Sequence, residues 1–200
     1  MSFERSKRFV QRVGDISEEE WAAKENTLEV KHLKKGEYIV REGEVCRHMS
    51  FINEGMFRVY SMVNGKEITT NFFFPGSYVS DYMSFIKRQP ANEYIQALTD
   101  SEIVTNSYEN VQALYAKYHK WERFGRLIAE KVFTSMYKRQ QEFLFYSPTE
   151  RYLKLMEKRP KVLLHIPQVY IASYLGITPE YLSRIRRELR EAEASQEASS

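Results

Sequence analysis

The chain of 200 residues contains one cysteine, Cys46, and no long apolar run. A single cysteine excludes an internal disulfide, a four-cysteine zinc site and an iron–sulfur cluster ligated by one chain. No stretch approaches the roughly 20 apolar residues of a membrane span. The first residues, MSFERSKRFVQRV, lack the apolar core of a signal peptide. We therefore expect a cytoplasmic protein without a membrane partner.

A strong charge of one sign is also lacking. The net charge is +3, from 30 basic and 27 acidic residues, and so mild an excess does not by itself indicate a nucleic-acid partner. Hydrophobic residues make up 42% and charged residues 28%, which is ordinary for globular proteins and excludes disorder as the default. The length allows one large domain or two small ones.

Glycine and proline are unevenly distributed. Five of the eight glycines lie between residues 36 and 76, whereas residues 91–147 contain no proline and a single glycine, Gly125. Frequent glycines between short apolar runs indicate an antiparallel β region, because many turns need a residue that tolerates positive φ. Asn64-Gly65, between two such runs, predicts a hairpin with a type I′ turn.

The stretch without breakers predicts helices at 108–118 and 120–145. At about 1.5 Å per residue the second helix is about 39 Å long, which is too long for one small core. We interpret it as a dimerisation helix, whose apolar stripe packs against a second copy; packing along its own β domain is the alternative. The stripe residues recur at spacings of three and four: Trp121, Phe124, Ile128, Val132 and Met136.

Residues 167–189 have the pattern of a helix-turn-helix. Pro167 and Gly176 bound one short helix, and Thr178-Pro179 begins the next. Small Ala172 lets the helices approach, and the glycine permits the sharp turn. In such a unit the second helix enters the major groove of double-stranded DNA. The candidate DNA-binding residues are Gln168, Thr178, Pro179, Glu180, Tyr181, Arg184, Arg186 and Arg187.

These side chains have the chemistry of base and phosphate recognition. Arg184 can bind guanine through two donors, and Glu180 can accept from cytosine. Thr178 or Gln168 can hold a phosphate. The alternative is a plain helical hairpin in which Glu180 and Arg184 form only a solvent-exposed ion pair.

Two runs resemble the Crp/Fnr family of transcription regulators. IPQVYIASYLGITPEYLSRIRREL resembles the family's helix-turn-helix, and LKKGEYIVREGEVCRHMSFINEGMFRVY its cyclic-nucleotide-binding barrel. The resemblance covers roughly residues 15–190. It implies an α+β fold: an antiparallel β-roll (jelly-roll) effector domain at 1–118, a long dimerisation helix at 119–146 and a C-terminal winged helix-turn-helix at 147–190. Residues 191–200, which are Glu, Ala, Ser and Gln only, are expected to form a disordered tail.

The resemblance also implies a homodimer on a two-fold-related DNA site, with RNA polymerase as a further candidate partner. The base-reading positions fall on Pro179, Glu180 and Arg184, and proline at the first of them removes one base contact. Little chain follows Leu189 before the tail. Most of any β wing is therefore expected at residues 161–166, or the wing is very short.

The effector motif departs from the family pattern. Members that bind cyclic nucleotides carry Gly-Glu for the ribose and Arg-Ser for the phosphate, and the matching positions here are Ser80-Asp81 and Ala91-Asn92. Glu93 adds negative charge, so we expect that cyclic AMP is not bound tightly; the effector is unknown and no cofactor is assigned. The candidate pocket residues are Ser80, Asp81, Tyr82, Arg88, Ala91 and Asn92, of which Arg88 could replace the missing arginine.

The sequence offers few residues for two other effector chemistries. A haem sensor needs an axial ligand, but the four histidines are scattered along the chain. Aromatic residues 72–74, with Tyr78, Tyr82 and Phe85, could line a pocket for a flat or apolar ligand, although such residues are more often core.

Three alternatives compete with the interpretation as a DNA-binding regulator whose effector is not cyclic AMP. The first is a regulator that still responds to a cyclic nucleotide through a divergent pocket. A cupin-type enzyme needs a His-x-His pair with a carboxylate, and this chain offers only His48 and Glu54, so we predict no catalytic or metal-binding residue. An adaptor that uses the long helix for protein contacts would lack salt-sensitive DNA affinity. The prediction is a sequence-specific DNA-binding transcription regulator.

Overall fold

A computed structural model describes residues 3–197, which form two compact units. The first comprises Met1–Ser61 and Thr70–Ser135, and the second comprises Met62–Thr69 and Met136–Ser200. In chain order the elements are α1 (Glu4–Gly14), α2 (Glu18–Glu25), β1 (Glu29–Leu33), β2 (Tyr38–Val40), β3 (His48–Glu54), β4 (Phe57–Val63), β5 (Lys66–Phe73), β6 (Tyr78–Val79), α3 (Tyr82–Lys87), β7 (Tyr94–Ala97), β8 (Ser101–Ser107), α4 (Tyr108–Lys117), α5 (His119–Phe145), α6 (Pro148–Lys158), α7 (Pro160–His165), α8 (Gln168–Leu175) and α9 (Pro179–Glu197).

Two four-stranded antiparallel sheets build the β-roll. The front sheet has the order β1-β8-β3-β6 and the back sheet β2-β7-β4-β5. Alternate residues of each strand point to opposite faces, and the inner faces share one apolar core that includes Ile52, Phe57, Ile95 and Ile103. The predicted α+β fold, with an antiparallel β-roll and C-terminal helices, is confirmed.

The outer face of the front sheet is covered by helices. Its contacts are mainly aromatic: the Phe9 ring of α1 lies 5.6 Å from both Phe51 and Tyr78, and Phe124 of α5 lies 6.0 Å from Tyr78. Trp121 packs edge-on to Phe124 at 5.6 Å. Tilted and edge-to-face geometries suit the quadrupoles of these rings, so the cluster adds to the stabilisation from buried area.

Local signals in the sequence explain several element boundaries. Asn64 and Gly65 both have positive φ, at 50° and 74°, as a type I′ turn between β4 and β5 requires. Ser17 and Glu20 form a reciprocal capping box at the start of α2, and Ser147 and Glu150 form another at the start of α6. These boxes satisfy backbone N–H groups that a helix start otherwise leaves unpaired.

The long helix is only partly available to a second copy. Trp121 and Phe124 are 2% and 6% exposed and pack with Val10 and Ile16 in the core of the first unit. The prediction that the whole stripe contacts a second copy is therefore wrong for these two residues, because α1 and α2 cover them. Ile128 packs partly against the same core. Val132 is half-buried and Met136 is 64% exposed, so the exposed apolar surface of α5 begins beyond Ile128.

Two expectations for the C-terminal part are also wrong. Residues 160–165 form α7 with Pro160 in its first turn and Val162 buried, so the extended wing expected at 161–166 is absent. No strand follows Ser107 within residues 3–197. Helix α9 continues to Glu197, since Glu, Ala and Gln favour a helix and no glycine or proline interrupts it. The expected disordered tail is thus helical at 191–197, and its last three residues lie outside the described part.

Gly55 provides a test of the close packing at the end of β3. A Cβ added there would lie 2.8 Å from the Cα of Ser101, whereas one added at Gly43 would meet nothing within 4 Å. Both glycines have positive φ, at 92° and 86°. We expect Gly55→Ala to lower the free energy of unfolding by about 1–3 kcal/mol more than Gly43→Ala, because only Gly55→Ala adds an overlap. Urea unfolding measures the difference, and equal losses would contradict the packing.

Candidate functional site

Asp81 has a structural role at the site where the resemblance places a ribose-binding carboxylate. It is 8% exposed and caps α3, where its side chain accepts a hydrogen bond of 2.9 Å from the Ser84 N–H. Ser80 donates to the His48 carbonyl at 3.2 Å and lies 3.3 Å from Cys46 Sγ. Both side chains are engaged in holding the start of α3 against β3.

Among the described residues, no cationic side chain occupies the position that the resemblance assigns to phosphate binding. Ala91 is 2% exposed within the apolar core of the β-roll, and its backbone exchanges hydrogen bonds with Gly43 and Glu44. Asn92 beside it is exposed. Arg88, the candidate replacement, ends α3 in a left-handed conformation, and its guanidinium lies 4.6 Å from the centre of the Tyr108 ring and 3.4 Å from Glu109. The Arg88 guanidinium therefore contacts two side chains of the first turn of α4.

Two carboxylates instead influence each other near this position. Burial raises the pKa of the Glu93 carboxyl above its usual value, and the negative charge of Asp81 raises it further. A hydrogen bond of 2.8 Å from the Thr70 hydroxyl acts in the opposite direction and fixes the Glu93 side chain. An anionic phosphate would add repulsion here, since like charges disfavour each other in a desolvated site.

Tyr82 does not join the other candidate pocket residues. It lines a separate cavity on the helix-covered side of the front sheet, together with Tyr78 and Tyr115. The structure therefore places Ser80 and Asp81 at the start of α3, buries Ala91 in the core of the β-roll and directs Tyr82 to this other cavity. No group of three or more His, Cys, Asp or Glu side chains in the described ranges is arranged to hold a metal ion.

The second unit contains α8 and α9, the two helices for which the sequence predicts a helix-turn-helix. Gly176 ends α8 in a left-handed conformation with φ of 70°, and Thr178 caps α9 by accepting a hydrogen bond of 3.2 Å from the Tyr181 N–H. Ala172 is fully buried where the two helices meet. The apolar side chains between the helices are Ile171, Leu175, Leu182 and Ile185, each at most 2% exposed.

Most of the predicted DNA-binding residues lie at the start and on the remaining face of α9, and Gln168 lies at the start of α8. Gln168, Thr178, Pro179, Glu180, Arg184, Arg186 and Arg187 are exposed, and Tyr181 is half-buried. The Arg184 guanidinium lies 4.4 Å from the centre of the Tyr181 ring, and no Glu180–Arg184 ion pair forms in the described part of the chain. The backbone N–H of Glu180 and the Thr178 side chain lower the pKa of the Glu180 carboxyl, which favours its ionised, hydrogen-bond-accepting form.

Two arginines that sequence reasoning missed hold the C-terminus of α8. Arg139 donates to the Tyr174 carbonyl at 2.7 Å and lies over the Tyr174 ring, and Arg151 donates to the Leu175 carbonyl at 2.9 Å. Cations are favourable at a helix C-terminus because its last carbonyls lack partners within the helix. Burial lowers the pKa of Arg139, although an arginine remains charged. No local motif signals these contacts.

Ser173 of α8 also has a partner distant in sequence. Its hydroxyl donates to the Glu67 carbonyl at 3.0 Å and accepts from the Thr69 N–H at 2.9 Å. These backbone groups belong to the end of the β4–β5 hairpin, residues 62–69, which is part of the second unit. These two hydrogen bonds attach α8 to the hairpin end and satisfy backbone groups of β5.

Comparisons with known proteins agree with this geometry. Residues 30–118 match the cyclic nucleotide-binding domain family. No curated protein sequence matches the chain. A Eubacterium rectale protein assigned to the Crp/Fnr family of transcriptional regulators is 21% identical, with a TM-score of 0.66 over 89% of this chain and 85% of that one. The chain has the fold of the Crp/Fnr regulators. The resemblance that the sequence motifs indicated is thus confirmed.

Two further solved structures share the fold. The Xanthomonas campestris regulator CLP, described as responsive to c-di-GMP, is 16% identical with a TM-score of 0.69, over 88% of this chain and 93% of its own. FixK2 from Bradyrhizobium japonicum is also 16% identical, with a TM-score of 0.70 over 83% and 86%. Within the described residues of this Crp/Fnr-like chain, no helix is long and apolar enough to cross a membrane.

The interior of the β-roll leads to a prediction about cyclic AMP. Because Ala91 stands where the resemblance places the phosphate-binding arginine, and because Glu93 lies near Asp81, we expect calorimetry to show no submicromolar binding. Asp81→Asn combined with Ala91→Arg should raise the affinity relative to wild type, since one change removes a negative charge and the other adds a cation. Submicromolar binding by the wild-type protein would contradict our interpretation of the pocket.

Proposed function

We propose that this protein is a sequence-specific DNA-binding transcription regulator that acts as a homodimer. The observation that carries the proposal is the exposed polar surface at the start of α9. Thr178, Glu180 and Arg184 lie within two turns of the helix start, while Leu182 and Ile185 anchor the opposite face against α8. A helix that buries one face and presents such side chains on the other suits insertion into the major groove.

The charge along α9 supports the same function. Arg184, Arg186, Arg187 and Arg190 are all exposed, and Arg187 has a partner 3.9 Å away in Glu191. The mild net charge of +3 hides this concentration, because acidic residues elsewhere cancel it. Arginines near the helix start can read bases, and those further along can contact phosphates, which position the helix without specifying sequence.

Exposed apolar residues on α5 support the homodimer. Phe133 is 69% exposed, Met136 64% and Tyr137 52%, and their spacing places all three on one side of the helix. Exposed apolar surface of this kind is typical of protein interfaces. Two copies joined through α5 would present two recognition helices to half-sites about 34 Å apart, one turn of DNA.

The effector of this regulator is proposed to be something other than cyclic AMP. The buried Ala91 and the Glu93–Asp81 pair support this, because neither offers the positive charge that a cyclic phosphate requires. Whether transcription is activated or repressed depends on where the operator lies relative to the promoter. RNA polymerase is the partner that an activator would contact.

Arg184 and Arg190 form a matched pair for testing base recognition. We expect Arg184→Ala to weaken binding to the cognate site by about 1–3 kcal/mol and to leave random-sequence binding little changed, because a bidentate base contact is lost. Arg190→Ala removes the same charge nearly two turns later and should weaken cognate and random DNA alike. Fluorescence anisotropy at fixed salt measures both. Equal losses on the two DNAs for Arg184→Ala would contradict base reading.

Met136 provides the corresponding test of the dimer. We expect Met136→Glu to raise the dimer dissociation constant at least about tenfold, or about 1.4 kcal/mol, because it places a charge in the apolar contact. Ser135→Glu adds the same charge about 100° around α5 from Met136, away from the side that carries Phe133 and Tyr137, and should leave the dimer intact. Light scattering over a concentration series measures both variants. A wild-type monomer at micromolar concentration would contradict the proposal.

A further inference from the structure

A small cavity lies between the outer face of the front sheet and the helices that cover it. It belongs entirely to the first unit and has a volume of about 40 Å³. Its walls come from the five helices α1 to α5 and the sheet, and most of the lining side chains are apolar or aromatic. The polar residues on its lining are Ser6, Lys24, Asn106 and three tyrosines, Tyr78, Tyr82 and Tyr115. The cavity therefore lies across the front sheet from the nucleotide-type pocket.

Lys24 is the charged group of this cavity. Its side chain is buried at 5% exposure, and its Nζ donates a hydrogen bond of 2.9 Å to the Tyr78 hydroxyl. The same Nζ lies 4.7 Å from the centre of the Trp121 ring and 5.7 Å from that of Trp21, within reach of cation–π attraction. Among residues 3–197 no carboxylate contacts it. A buried ammonium without an anion is costly, and it marks candidate functional sites.

Asn106 supplies a second, independent polar group. It is 4% exposed on β8, and its amide nitrogen has no hydrogen-bond partner within the described ranges. Its other amide atom, Oδ1, lies 3.3 Å from the Thr27 hydroxyl. Buried amide donors are nearly always paired in folded proteins, so an unpaired one on a cavity wall indicates a missing acceptor. Lys24 and Asn106 thus present donors to one space whose lining includes no acidic side chain.

The size of the cavity limits what could supply the acceptor. At about 10–15 Å³ for each water, 40 Å³ holds about three or four non-hydrogen atoms. The ring of Tyr115 closes one side, where α5 approaches through Gly125: a Cβ at that position would lie 2.3 Å from the Tyr115 hydroxyl. Apart from the two donors, the walls consist mainly of aromatic rings and aliphatic carbons. A small anion that also carries an apolar group therefore suits this space.

We propose that this cavity binds a small monocarboxylate of formate or acetate size, held by an ion pair with Lys24 and a hydrogen bond from Asn106. The carboxylate accepts from both donors, and a methyl group contacts the aromatic walls. Bound ligand would therefore touch α2, α5 and the front sheet at once. The site neither uses nor requires the helix-turn-helix, so it is independent of the DNA-binding proposal.

The protonation of Lys24 gives the proposal a characteristic pH dependence. Burial lowers the pKa of the Lys24 amine to about 7, and only the protonated amine forms an ion pair. The other titratable groups on the lining, Tyr78, Tyr82 and Tyr115, stay neutral in this range because burial raises the pKa of each hydroxyl. Carboxylate affinity should then be nearly constant below pH 6 and fall about tenfold per unit above pH 8.

The test is a titration of the full-length protein with sodium formate and sodium acetate at constant ionic strength, set by chloride. Binding is followed by NMR chemical shifts of the protein, with no DNA present. We expect saturable one-site binding to wild type and at least a tenfold loss in Lys24→Met, which keeps the length of the side chain. Lys117→Met on the exposed side of α4 is the matched control and should bind like wild type.

A second variant keeps the test decisive if Lys24→Met does not fold. Asn106→Leu retains the amine and should weaken acetate binding by a smaller factor while preserving the pH dependence. Benzoate, which exceeds the cavity, should not compete. Absence of saturable binding, binding without the decline above pH 8, or equal affinity in the Lys24→Met and Lys117→Met variants would overturn the proposal. These results leave the DNA-binding proposal untouched, because none of them involves α9.

Discussion

The aromatic contact between α5 and the covered face of the front sheet is the constraint on which the first unit depends. Phe124 packs against Phe9 and Tyr78, and Trp121 donates its indole N–H to the Glu20 carbonyl at 3.1 Å. These bonds and rings attach the first turns of α5 to α1, α2 and β6. Because Trp121 and Phe124 are buried in this core, the dimer interface that we propose for α5 begins beyond Ile128.

The same packing explains how the front sheet separates two possible ligand sites. On its inner side the β-roll has the fold of a nucleotide-binding domain, with Ala91 buried in its apolar core and the Glu93 carboxyl under the influence of the Asp81 charge. On its outer side the covering helices leave a small space around Lys24. A buried amine held by rings and one hydroxyl is stable only at some energetic cost, and an anionic ligand would offset that cost.

Much of the fold was predictable because its signals are local. Asn64-Gly65 and the capping box at Ser17 act over a few residues, and the helix-turn-helix follows from Pro167, Gly176 and Thr178. The errors came from tertiary packing and from a polar composition taken as a sign of disorder. Burial of Trp121 depends on α1, which the sequence pattern did not single out. The helix at 191–197 continues α9 because Glu, Ala and Gln favour a helix even where no apolar residue packs.

The residues of the candidate sites also differ in whether a local signal in the sequence predicts them. The exposed residues of α9 follow from helix periodicity, whereas Arg139, Arg151 and Lys24 act through contacts with residues distant in the chain. Selection of bound sequences from a random DNA pool tests the central claim most directly, because it examines recognition, specificity and symmetry together. A two-fold symmetric motif with half-sites about one helical turn apart is the predicted result. A bound pool without a shared motif would contradict the account.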